Sequence, residues 1–113
     1  MPGEATLAPL MPHHVESSAR RTRWSITRGA PLVWKSWDDD EYVVYSPASG
    51  DSHLINRFTA EVLRQLEHSD LEPSDLSRNV ARSLGIELDP KTETYIARLV
   101  AYLDRIGLVE PAP

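Results

Sequence analysis

The sequence predicts an α+β fold that is winged-helix-like, with a three-stranded antiparallel β-meander followed by three α-helices. Between residues 32 and 55, apolar and polar residues alternate and β-branched and aromatic side chains are frequent, which is typical of strands. After Asn56 the apolar residues recur at helical spacing. The predicted element order is therefore β-β-β-α-α-α, with the last two helices placed as in a helix-turn-helix.

The strand region divides at two turns. The predicted strands are Leu32–Trp37, Tyr42–Ser46 and Ser52–Ile55. The acidic run Asp38–Glu41 forms the first turn; in the second, Pro47 fixes one φ angle and Gly50 can adopt a positive φ. A short leading strand at Arg23–Thr27 is a candidate fourth member of this sheet. A sheet this small is not stable alone, so we expect helices to cover one face.

Each predicted helix has end signals. The helices extend from about Phe58 to Glu67, from Ser74 or Asp75 to the residue before Gly85, and from Pro90 to the residue before Gly107. Asn56 and Asp89 are good N-caps, and the two glycines can end the helices that they follow. Leu108 and Val109 can pack back onto the core after the third helix. That helix carries an apolar stripe that we assign to the core: Ile96, Leu99, Val100, Leu103 and Ile106.

Charge and composition limit the function. We predict that residues 1–22 form a disordered or loosely attached basic arm, residues 23–110 the domain, and residues 111–113 a tail. Residues 1–30 carry four arginines against two glutamates, a balance of +2, whereas residues 31–113 carry eight basic against fifteen acidic residues, a balance of −7. An acidic domain repels a phosphate backbone, so we do not expect nucleic acid as a partner.

The chain contains no cysteine, which excludes disulfides and fits a cytoplasmic protein. No apolar run reaches the length of a membrane span, so we expect no membrane partner. There is also no glycine-rich phosphate loop, no nucleophile elbow and no histidine pair at ligand spacing. His53 lies near Ser49 and Ser52, but catalytic triads draw on elements far apart in sequence. We therefore predict no enzyme activity, no catalytic residue, no metal and no cofactor.

Two features predict a binding site. Strand Ser52–Ile55 is the last of the meander, so one side is unpaired, and it contains neither Lys nor Pro to guard that edge. The third helix bears a cationic and aromatic stripe at steps of four and three: Lys91, Tyr95, Arg98, Tyr102 and Arg105. Tyr and Arg are frequent interface residues, although a solvated face whose tyrosines cover the core edge would show the same pattern.

The runs WDDDEYVVYSPASGDSHLINRFTAEVLRQL and DRIGLVEP resemble the PqqD-like peptide chaperones, also called recognition elements for ribosomally synthesised and post-translationally modified peptides (RiPPs). The resemblance covers about Trp24–Val109. Within that family the chain is most similar to the branch named HPr-rel-A system PqqD, on the basis of Trp24, Trp34, Trp37 and Ser49–Asn56.

The resemblance implies a non-catalytic adaptor. Such domains bind the leader segment of a precursor peptide as an extra strand between the third strand and the third helix, and present it to a modifying enzyme. For this branch an HPr-kinase-related protein is the candidate enzyme. The implied contacts are Ser52, His53, Leu54 and Ile55 on the strand, and Tyr95, Arg98, Leu99, Tyr102 and Arg105 on the helix.

Two alternatives stay open at the level of sequence. A winged-helix transcriptional regulator would bind DNA through the second and third helices, with Arg98 and Arg105 reaching a groove. The same unguarded strand would also allow two copies of the chain to pair edge to edge, so both a monomer and an edge-paired dimer are compatible with the sequence.

Overall fold

The computed structural model describes residues 22–29, 31–36 and 40–112. The predicted basic arm up to residue 21, and the predictions for Trp37, Asp38 and Asp39, lie outside the described residues. The elements are, in order, β1 (Trp24–Ile26), β2 (Val33–Ser36), β3 (Glu41–Ser46), β4 (Asp51–Asn56), α1 (Arg57–His68), α2 (Pro73–Leu84), α3 (Pro90–Arg105) and β5 (Val109–Pro111).

The predicted meander is confirmed, because β2, β3 and β4 form one antiparallel sheet in that order. Val44 in the middle strand is opposite Trp34 on β2 and opposite His53 on β4. The alternation of strand residues therefore places these three side chains on one face, and Val44 is fully buried there. This is the inner face, which the helices cover.

The leading strand is placed differently from our expectation. β1 does not join the meander but pairs antiparallel with β5, so that Trp24 is opposite Pro111 and Ile26 opposite Val109. Pro111, which we assigned to a tail, is thus a strand residue, and the N–H of Ala112 donates to the carbonyl of Arg23 at 2.7 Å. The cause is the burial of Leu108 and Val109, which brings the end of the chain back onto the core beside β1.

The helix ends follow the predicted capping chemistry. Asn56 Oδ1 accepts a hydrogen bond from the N–H of Thr59, and Asp89 Oδ1 accepts one from the N–H of Thr92, both at 2.8 Å. Gly85 ends α2 with a φ of 68°, a left-handed conformation in which a side chain would be strained.

The start of α2 and the apolar stripe of α3 lie close to their predicted positions. α2 begins at Pro73, one residue before the predicted start, because proline fits the first helical position. The apolar stripe of α3 lies in the core as predicted, together with Ile55 of β4 and with Leu108 and Val109. Its buried members are Ile96, Val100 and Leu103, and its half-buried members are Leu99 and Ile106.

An aromatic–cation cluster closes the β2 side of the inner face. The guanidinium of Arg64 in α1 lies 4.9 Å from the ring centroid of Trp34 and 5.0 Å from that of Tyr42. The two rings meet edge to face at 6.3 Å, and the indole N–H of Trp34 donates to the Glu67 carboxylate at 3.1 Å. α1 therefore packs on the inner face of the sheet, and its side chains reach as far as β2.

The cap of α3 predicts a pH-dependent stability. The N–H of Thr92, and next its hydroxyl at 3.0 Å, stabilise the ionised form and hold the pKa of Asp89 below its ordinary value of 3.8. A depressed folded-state pKa stabilises the protein above the unfolded-state pKa, and this contribution is lost as the pH falls through the folded-state pKa. We expect Asp89→Ala to lower the urea midpoint at pH 7, and the difference from the wild type to shrink as the pH approaches 3.

The matched control is Asn56→Ala, which removes the uncharged cap of α1. It should cost about 1 kcal/mol of unfolding free energy at both pH values, because an amide does not titrate in this range. An Asp89→Ala effect that is the same at pH 7 and pH 3 would contradict the assigned role of the ionised carboxylate.

Candidate functional site

The open edge of β4 is the first component of the candidate site. β4 pairs only with β3 within the described ranges, so one row of its N–H and C=O groups has no strand beside it. The strand Asp51–Asn56 extends the predicted Ser52–Ile55 by one residue at each end and contains no Lys or Pro. Such an edge is a template for pairing with another extended chain.

The predicted strand contacts divide between the two faces of the sheet. His53 is opposite the buried Val44, and Ile55 is itself buried, so both side chains lie on the inner face. Ser52 and Leu54 lie on the outer face, where the side chain of Leu54 is 62% exposed. A strand added to this edge would hydrogen-bond to the backbone, but only the inner-face side chains would meet it on the helix side.

The side chain of His53 has unmet hydrogen-bonding capacity. Its Nε2 atom is buried and makes no hydrogen bond to any described residue. Buried polar atoms are nearly always paired, and an unpaired one carries a free-energy cost. A polar group that arrived at the open edge on the inner side of the sheet could provide the missing partner.

One contact shows which side of α3 lies near β4. The ring of Tyr95 meets the ring of Phe58 edge to face, with the centroids 5.0 Å apart. Phe58 is in the first turn of α1, two residues after Asn56 ends β4. The Tyr95 side of α3 therefore faces the point where β4 joins α1. We expected Phe58 only at a helical apolar position; its pairing depends on packing between distant parts of the chain.

The rest of this side of α3 follows from helix geometry. Tyr102 is seven residues after Tyr95, which is about two turns, and Leu99 lies between them, half-buried against the core. Both tyrosines are about half exposed, at 47% and 49%. We call the space between the open edge of β4 and this side of α3 (Tyr95, Leu99, Tyr102) the β4–α3 groove.

The cations of the predicted stripe lie farther from the core. Lys91, Arg98 and Arg105 are exposed, and none of them forms an ion pair within the part of the chain that the structure describes. An open cavity of about 340 Å³ lies at the N-terminal half of α3, and its lining residues are Pro90, Lys91, Thr94, Tyr95 and Arg98. All five residues of the predicted stripe are thus exposed on α3, and their role in binding stays a prediction.

Two further properties concern metals and membranes. Among residues 22–29, 31–36 and 40–112, no group of three or more His, Asp or Glu side chains could hold a metal ion. None of the three helices in these ranges is long and apolar enough to cross a bilayer.

Comparison with known proteins supports the fold. The structure is similar to the solution NMR structure of the PqqD truncation of Methylobacterium extorquens PqqCD, described as a functional, stand-alone RiPP recognition element. The TM-score is 0.58 at 15% sequence identity, over 78% of this chain and 88% of the other. No protein-family model and no curated protein matches the sequence.

At this identity the similarity establishes the fold, and it confirms the predicted resemblance to PqqD-like domains at that level. The assignment to the HPr-rel-A branch stays a prediction. The roles of the individual residues of the β4–α3 groove likewise stay predictions.

The Phe58–Tyr95 contact is testable by a double-mutant cycle. We expect Phe58→Leu and Tyr95→Leu to be coupled by about 0.5–1.5 kcal/mol in urea unfolding, because an edge-to-face pair contributes that much beyond its buried area. The control cycle joins Phe58→Leu with Tyr102→Leu and should give a coupling near zero. Equal coupling in the two cycles would show that Tyr95 is not the residue facing the end of β4.

Proposed function

We propose that this chain is a non-catalytic adaptor that binds the leader segment of a precursor peptide and presents it to a modifying enzyme. The peptide binds in the β4–α3 groove as an additional strand on the open edge of β4. The observation that carries the proposal is this unguarded edge beside the aromatic side of α3. The fold, which is similar to that of a stand-alone RiPP recognition element, supports it.

Strand addition divides affinity and specificity between backbone and side chains. The free N–H and C=O groups of β4 bind the peptide backbone whatever its sequence. Every second side chain of the peptide then points to the inner side, toward His53, Ile55 and the tyrosines of α3. Apolar residues at those positions bury area against Tyr95 and Leu99, and this burial selects among peptides.

The remaining assignments come from the resemblance of the sequence. For the HPr-rel-A branch it implies an HPr-kinase-related protein as the enzyme that receives the peptide. We place the adaptor in the cytoplasm, a proposal supported by the absence of cysteine from the chain. The same open edge would hold two copies together in the absence of peptide, and peptide binding would then release the monomers.

A pair of proline variants tests strand addition. Adjacent residues of a strand alternate in the direction of their N–H groups, so of His53 and Leu54 one donates to β3 and the other faces the open edge. Proline at the residue whose N–H donates to β3 should disrupt the sheet. Proline at the residue whose N–H faces the open edge should leave the helices intact. It should weaken, by about tenfold or more, the binding of peptides selected from a randomised display library. Circular dichroism and fluorescence anisotropy make the two measurements.

Matched controls use exposed sites outside the groove. Val33→Pro alters the opposite edge of the sheet, and Tyr45→Ala removes an exposed tyrosine from the outer face, whereas Tyr102→Ala removes one from the groove. Only the edge variant of β4 and Tyr102→Ala should lower affinity. If selected peptides bind both of these variants as tightly as the wild type, the groove is not the binding site.

A further inference from the structure

We infer that the peptide taken by the β4–α3 groove carries a carboxylate side chain just beyond the segment that pairs with β4, and that Lys91 and Arg98 bind it. The inference rests on the proposed function and adds the chemical class of the ligand: an extended peptide with an Asp or Glu at the Asn56 end of the groove. Three observations support this inference, on position, charge and chemical fit.

The position follows from the contacts of Tyr95. Its side chain lines the 340 Å³ cavity together with Lys91 and Arg98, and its ring contacts Phe58, two residues beyond the end of β4. The cavity therefore lies near the Asn56 end of the open edge. A peptide strand that ran along β4 and continued past this end would approach the cavity at its Tyr95 side.

The charge at this place is opposite to that of the domain. Residues 31–113 have a balance of −7, yet the two charged residues that line the cavity are both cations. The acids of α3, Glu93 and Asp104, lie roughly 120–160° around the helix from them, at about 100° per residue, and Glu93 lines a separate cavity that Arg98 also borders. Lys91 and Arg98 therefore attract an anion locally, and the negative net charge of the domain does not exclude an acidic partner.

Two acidic residues lie close in sequence or pairing to the ends of α3 and β4. Asp89, just before α3, is held by hydrogen bonds from Thr92. Glu41 lies opposite Asn56 on β3, one strand farther from the open edge. Neither forms an ion pair with Lys91 or Arg98, so within the described residues both cations are available to a ligand.

The chemical fit favours a carboxylate. A guanidinium presents paired N–H donors that match the two oxygens of a carboxylate, and Lys91, about two turns earlier on the same side of α3, adds a point charge. Exposed single ion pairs contribute little in water. Here the tyrosine wall and the covering peptide backbone would exclude part of the solvent, which strengthens the interaction.

DNA is the competing ligand for the same cations. A duplex would bring many phosphates against a domain that is acidic elsewhere, and binding would gain from only a few basic residues. An extended peptide needs only one open strand edge and a few cations near it, which β4 and α3 provide. The acidic peptide is therefore the ligand that we propose, and DNA is an outcome of the test.

The test is a peptide selection from a display library of about twelve randomised residues, carried out with the full chain. The baits are the wild type, the double variant Lys91→Gln/Arg98→Gln, and the control Lys35→Gln/Arg82→Gln, which removes the same charge at exposed sites outside the groove. Peptides bound by the wild type and by the control should be enriched in Asp and Glu at one end of an alternating segment. The enrichment should disappear with Lys91→Gln/Arg98→Gln.

The affinity of one selected acidic peptide provides the second measurement. It should fall by about tenfold on Lys91→Gln/Arg98→Gln, and Asp→Asn or Glu→Gln changes in the peptide should abolish that difference. Recovery of no peptide by any bait overturns both the adaptor function and the acidic ligand. Peptides without acidic enrichment overturn only the acidic ligand. Tighter binding of a labelled duplex DNA, lost in the double variant, would assign these cations to DNA and also overturn the inference.

Discussion

The constraint on which the rest of the structure depends is that, among the described residues, β4 pairs with another strand along one side only. Its inner face is held in place, because Ile55 is part of the core and Asn56 caps the helix that follows directly. Phe58, in the first turn of that helix, contacts the ring of Tyr95 edge to face, so α3 approaches the end of β4. A short stretch of chain thus makes an edge strand, begins a helix and positions the opposite wall of the groove.

Contacts in the rest of the domain stabilise this arrangement. The Trp34, Tyr42 and Arg64 cluster closes the inner face at the β2 side of the sheet. β1 and β5 pair with each other, and the backbone of Trp24 also exchanges two hydrogen bonds with Leu71, at 2.8 and 3.1 Å. The Phe58–Tyr95 contact brings α3 close to the Asn56 end of β4, which is why we propose this edge as the place where an extended chain adds.

The features predicted correctly from sequence are those that depend on interactions between residues close together in the chain. Strand alternation, the caps Asn56 and Asp89, and the stop at Gly85 each depend on a few neighbouring residues. The β1–β5 pairing and the Phe58–Tyr95 contact join residues far apart in sequence, and a three-residue strand is too short to show a period. Alternation does put Leu54 on the face opposite His53, but only the helix packing shows which face is the inner one.

The most direct measurement is amide hydrogen exchange across β4, followed by NMR with and without a selected peptide. Residues of Asp51–Asn56 whose N–H groups point to β3 should already be protected, and the alternate residues should become protected only in the complex. The open edge of β2 should not change, which controls for general stabilisation. A peptide that binds without altering exchange along β4, or that protects β2 instead, would contradict strand addition at this edge.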